Sequence, residues 1–122
     1  MSREIKKQDF EVSDCGSFSK IRILSPRLDA LVAPRLKSEL VVLSGSGVSR
    51  IVLDLNGIVY CDSAGLSAIL VAHRLCRTVN GTFVLTGLSK EVERLVTISQ
   101  LDSVLNIAYS EEQLEKKMRE CA

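Results

Sequence analysis

The strongest constraint on this chain is one abrupt change of period. Residues 51–55 read IVLDL, a nearly unbroken apolar run of the kind that forms a central strand buried on both faces. Asn56-Gly57 loosens its far end. Beyond the segment YCDSAGL at 60–66, Leu66, Ile69, Leu70 and His73 mark one helix face, continued by Cys76 and Val79, which is helical spacing. A buried strand that runs into an amphipathic helix is the opening of a β–α unit. Such units pack helices onto a sheet through right-handed crossovers.

The flanking chain continues this alternation. Phe10 to Val12 and Phe18 to Leu24 read as two strands across a Ser/Asp/Gly turn, and Ile21, Arg22 and Ile23 alternate as a strand with one wet face does. A short connection, SPRLDALV, follows. Pro34 suits the first turn of a helix, where its missing N–H has no intrahelical partner. Leu36, Leu40 and Leu43 continue that helix until Gly45 and Gly47 stop it. Asn80-Gly81 ends the next helix. TFVLTGL then predicts a strand and loop, EVERLVTI a short amphipathic helix, SVLNIAY a last short strand, and EEQLEKKMRE a polar helix with a solvated face. The expected order is ββαβαβαβα, one α/β domain without repeats or linkers.

Composition removes several functions. The 122 residues carry 16 basic and 15 acidic side chains, a net charge of +1, which gives no electrostatic basis for binding nucleic acid directly. Three Phe, two Tyr and no Trp leave few surfaces on which bases stack. The first residues, MSREIKKQDFEV, lack the apolar centre of a signal peptide, and no stretch approaches the ~20 apolar residues of a membrane span. A cytoplasmic location without membrane insertion is expected. Cys15, Cys61, Cys76 and Cys121 include no CxxC pair, and His73 is the single histidine, so reduced thiols without a metal site are expected. His73 is expected on the sheet-facing side of its helix, partly buried and hydrogen-bonded.

Catalytic readings fail on the same residues. Ser63 lacks the first glycine of a GxSxG elbow, and His73 lies ten residues on, ~15 Å along a helix, too far to act as its base. No phosphate-cradling glycine loop with a trailing Lys-Ser/Thr is present. Asp54 and Asp62 alone do not make a receiver's acidic pocket, because SPR and TG stand where its acidic pair and lysine belong. No enzymatic activity and no catalytic residue are expected. Two readings remain for Asp62-Ser63: a pair capping a helix, or a hydroxyl that a partner reads or modifies.

The run from Ile51 to Ile107, with its apolar strand, Asp62-Ser63-Ala64-Gly65-Leu66, apolar helix and closing EVERLVTISQLDSVLNI, resembles the STAS domain of bacterial anti-sigma factor antagonists. Asp29 stands where that family has an acidic residue before its first helix, although Pro26 replaces the usual glycine. The resemblance covers about residues 8–118 and implies a single STAS-like domain over 1–122. Its fold would be a mixed, mostly parallel sheet of about five strands with helices mainly on one face. It implies that Ser63 is phosphorylated by a partner that is both anti-sigma factor and serine kinase, and reset by a serine phosphatase. The unphosphorylated chain would bind that partner and release a sigma factor. Asp29, Asp62, Ser63, Ala64, Gly65 and Leu66 would form the partner-binding surface, with Gly65 giving a partner's loop close access to the backbone. ATP and Mg²⁺ would belong to the kinase, no cofactor would belong to this chain, and the free protein would be a monomer. For Asp29 a solvated loop carboxylate is the alternative. A non-phosphorylated STAS adaptor of a transport system or signalling scaffold is the alternative for the whole chain.

Overall fold

The computed structural model describes residues 10–120, excluding the side chain of Glu120. Cys121 lies outside the described residues. The strands are β1 (Phe10–Asp14), β2 (Ser19–Ile23), β3 (Arg27–Leu28), β4 (Arg50–Asp54), β5 (Tyr60–Cys61), β6 (Thr82–Thr86) and β7 (Ile107–Ala108). The α-helices are α1 (Ala33–Gly45), α2 (Ser63–Thr78), α3 (Lys90–Ile98) and α4 (Glu111–Glu120), with a 3₁₀ turn at Leu101–Ser103. The five-stranded sheet has the order β1-β2-β4-β6-β7. Only the β1–β2 hairpin is antiparallel, with Phe10 opposite Ile23; the remaining pairs are parallel.

Each crossover moves one strand in the same direction across the sheet. Crossovers of one hand therefore deliver α1, α2 and α3 to one face. Leu36 and Leu40 of α1, Ile69 and Ala72 of α2, and Val92 and Val96 of α3 join Ile21, Ile51, Leu53 and Leu85 in the larger core. Residues 51–54 of β4 are buried on both sides, as their nearly unbroken apolar run predicts, with Asp54 buried among them.

The opposite face corrects the reading of residues 111–120 as a solvated helix. Leu114 and Met118, four residues apart, cover Val52, Val84 and Ala108, with Phe18 alongside. Arg50 locks this helix down, donating to the Ser17 carbonyl at 2.9 Å and to the Met118 carbonyl in the last helical turn. Two apolar residues in ten were too few to register as a stripe by sequence.

A second difference positions the functional surface. The connection SPRLDALV contains β3, which pairs in parallel with β5 to form a separate two-stranded sheet. Arg27 faces Tyr60 and Leu28 faces Cys61. The Val59 amide donates to Pro26 at 2.9 Å, and the Asp62 amide donates to Leu28 at 3.3 Å. Segments of two residues show no period, so only the folded chain reveals this pairing. The last strand is also shorter than SVLNIAY implied, because Ser103 belongs to the 3₁₀ turn.

Candidate functional site

The site forms where β5 runs into α2. Asp62 has extended backbone angles, and its carboxylate Oδ1 accepts the Gly65 amide at 3.0 Å. It therefore satisfies one of the free donors of the first turn. Ser63 is the first helical residue and is exposed. Among the described residues its hydroxyl makes no intramolecular hydrogen bond. The capping pair read from sequence thus divides into two roles: Asp62 caps, and Ser63 is displayed.

Ala64 and Leu66 are half-buried against the larger core, and Gly65 is buried. A Cβ on Gly65 would collide with the Leu28 carbonyl oxygen and lie 2.7 Å from Cys61 Sγ. The room left by its missing side chain is taken by β3 and Cys61 of the same chain, so close access for a partner is not what this glycine provides. It lets α2 start directly against the β3–β5 pair.

Asp29 directly follows β3, one residue beyond Leu28, whose carbonyl accepts the Asp62 amide. Its Oδ1 accepts the amides of Leu31 at 3.0 Å and Val32 at 3.3 Å. Its Oδ2 accepts Arg27 Nε at 3.1 Å. The Arg27 guanidinium, then burial in opposition, then the two amides set its carboxyl below the ordinary value of 3.8. Arg27 in turn lies 4.2 Å over the Tyr60 ring. Asp29 is neither a freely solvated loop carboxylate nor an open acceptor, since its oxygens are engaged within the chain.

Apolar side chains are exposed on the elements that flank the site in the chain and across the groove. Leu31 and Ile98 are 79% and 72% exposed, and Val59 and Tyr60 are exposed as well. A groove of about 310 Å³ runs between β5 and α3, lined by Val59, Tyr60, Cys61, Arg94, Leu95 and Ile98 among others. Sequence reasoning singled out none of Arg27, Leu31, Tyr60 or Ile98. Ile98 carried a weak signal as an apolar residue at the end of an amphipathic helix, and the others carried none.

A domain-family model, the STAS domain, matches the chain over residues 13–114. The chain belongs to the STAS domain family. The anti-sigma-B factor antagonist of Listeria monocytogenes is 30% identical over 107 residues, covering 88% of both chains. BtrV of Bordetella bronchiseptica, named as a candidate anti-sigma factor antagonist, is 36% identical over 80 residues, 66% of this chain and 69% of its own. These relatives place the chain in the antagonist branch of the family. SpoIIAA, an anti-sigma factor antagonist, matches in its unphosphorylated form with a TM-score of 0.74 at 20% identity, covering 88% of this chain and 94% of its own. Its phosphorylated form, from Bacillus, matches with a TM-score of 0.68 at 20% identity, covering 88% and 97%. At those identities the structural likeness concerns the fold.

Other reactive groups of this STAS domain stand apart from Ser63 or are muted. Burial, reinforced by the Asp62 charge, pushes the half-buried Cys61 thiol up to about 11. Burial pushes Cys76 up to about 11 as well, against a backbone hydrogen bond with Ile51. His73 is partly buried as expected, but its Nε2 is buried without a hydrogen-bond partner among the described residues, which corrects the expectation that it is satisfied. Among the described residues no group of three or more His, Cys, Asp and Glu is arranged to hold a metal. No described helix is long and apolar enough to cross a membrane.

Proposed function

We propose that this STAS domain is an anti-sigma factor antagonist whose docking to an anti-sigma factor is switched off by phosphorylation of Ser63. The observation that carries this reading is the Ser63 hydroxyl, exposed and unpartnered within the described chain at the start of α2, two residues beyond Cys61 of the groove between β5 and α3. The partner, a serine kinase, brings ATP and Mg²⁺. The Ser63 oxygen attacks the γ-phosphorus, its proton passes to a base on the kinase, and ADP leaves. This chain supplies the acceptor and the docking surface without turnover of its own, and a serine phosphatase resets it. Unphosphorylated, it engages the partner and a sigma factor is released.

The phosphate adds about −1.5 to −2 charges at one point. In the free protein it sits at the α2 N-terminus, where the helix carries roughly +0.5 of partial charge, and it stays in water. In a complex the same group must lose its water against a surface shaped for a hydroxyl. A penalty of ~2.8 kcal/mol weakens binding ~100-fold, enough to separate two functional states.

The test is intact-mass measurement after incubation with a purified cognate anti-sigma factor kinase, ATP and Mg²⁺. One phosphate is expected on the natural chain and none on Ser63→Ala. A phosphate retained by Ser63→Ala overturns the assignment.

A further inference from the structure

The side of the sheet away from α2 is the more lightly built. Of the described side chains of α4, only Leu114 and Met118 enter the smaller core there, with Val52, Val84 and Ala108. The rest of α4 is charged or polar. Its start is firm: Ser110 Oγ accepts the Gln113 amide at 3.1 Å, and Gln113 Oε1 accepts the Tyr109 amide at 2.8 Å, a reciprocal cap set directly after β7. Its last turn is tied down by one residue of another element. Arg50, at the start of β4, donates Nη1 to the Ser17 carbonyl at 2.9 Å and Nη2 to the Met118 carbonyl, which joins that turn to the β1–β2 hairpin.

The tie is incomplete. Among the described residues Arg50 Nε is buried without a hydrogen-bond partner, and no carboxylate pairs with the guanidinium. A buried cation satisfied at two of its three nitrogens forfeits its hydration at the third. Clefts of about 270 and 500 Å³ share Ser17, Phe18 and Arg50 in their walls. With Met118 released, the guanidinium is held at Ser17 alone and can turn into a cleft, where water reaches Nε. Opening therefore returns to Arg50 part of what it gives up. Off the sheet, ten residues are too few for a stable helix in water, so release and melting are one event.

We propose that α4 is a releasable strap, latched by Arg50, whose last turns leave the sheet as one unit while the rest of the domain stays folded. Release bares Val52, Val84 and Ala108 beside Phe18, an apolar strip on the side of the sheet away from α2. The domain then holds two faces under separate control. The Ser63 end of α2 is always displayed, and the strip is displayed only in the open form. The strap does not depend on Ser63 carrying a phosphate.

The test is native-state hydrogen exchange of the full chain in increasing urea, read amide by amide by NMR. The amides of residues 115–119 are expected to share one opening free energy, to exchange at least ~100-fold faster than those of β4 and β6, and to respond weakly to urea. Arg50→Gln is expected to speed exchange at 115–119 at least ~10-fold, as loss of a charged hydrogen bond does. Ile69→Val, in the larger core, is expected to speed the β4 and β6 amides about 2–10-fold and leave 115–119 unchanged, because the closed and open forms share that core. If 115–119 exchange at the strand rate, or follow the strands in Ile69→Val, α4 leaves only when the whole chain unfolds and the proposal is overturned. Protection that falls residue by residue toward 119 overturns it too, as simple fraying. So do equal rates in the natural chain and Arg50→Gln. Should Arg50→Gln fail to fold, the natural chain and Ile69→Val decide the strap by themselves.

Discussion

Gly65 rests against the carbonyl of Leu28 so closely that a Cβ has no place between them. That contact joins the start of α2 to β3 and so fixes where Ser63 is shown. Alanine is the better helix former by ~1 kcal/mol, and an exposed helix would gain from it. Here the collision is with backbone oxygen and the half-buried Cys61, neither of which yields cheaply. Gly65→Ala is therefore expected to destabilise by about 1–3 kcal/mol net, read as a lowered urea midpoint. An unchanged or raised midpoint would show that β3 moves aside freely.

Ser63 stands in water, so charge there should cost the free fold little. Ser63→Asp is expected to change unfolding free energy by less than ~0.5 kcal/mol, while weakening anti-sigma factor binding at least ~10-fold by calorimetry. Equal affinity for the two forms would exclude charge as the means of switching.

Asp62 and Ser63 should separate cleanly under mutation. Asp62→Ala removes the acceptor for the Gly65 amide and is expected to cost ~1 kcal/mol. Ser63→Ala removes no hydrogen bond made within the described chain and is expected to be near neutral. Paired denaturant titrations measure the difference.

The lowered Asp29 carboxyl has a pH signature. A group whose folded value lies below its unfolded one stabilises the fold above the unfolded value, 3.8, and loses that contribution as pH falls through the lower folded value. The urea midpoint should therefore fall with acid more steeply in the natural chain than in Asp29→Asn, with the two curves differing in slope below about pH 4–5. Parallel curves across that range would mean that the Arg27 contact does not hold Asp29 in solution.

Thiol reactivity should rank by burial. At pH 7.5 a thiol at about 11 is ionised in roughly 1 molecule in 3,000, so Cys61 and Cys76 should alkylate slowly in the folded protein. Exposed Cys15 should react ahead of both. Peptide mapping after limited iodoacetamide treatment gives the order, and early modification of Cys61 would contradict its protected setting.

The large elements were legible because their periods are long enough to read. Ile51–Leu55 announced a strand buried on both sides, and Leu66, Ile69 and Cys76 a helix laid on the sheet. Asp62-Ser63 announced a helix start, and the DSAGL segment with Asp29 pointed to the STAS family that the matched model shows. The sequence thereby determined the alternation of elements, the crossover connections that alternation requires and the residue at the seam. Tertiary structure alone decided which of the pair caps and which is displayed, what Gly65 makes room for, and that Arg27, Asp29 and Tyr60 meet. The reason is range. A period is a property of neighbours along one segment, whereas the β3–β5 pairing joins two-residue pieces more than thirty positions apart, and it exists only once the sheet and α2 have brought them side by side.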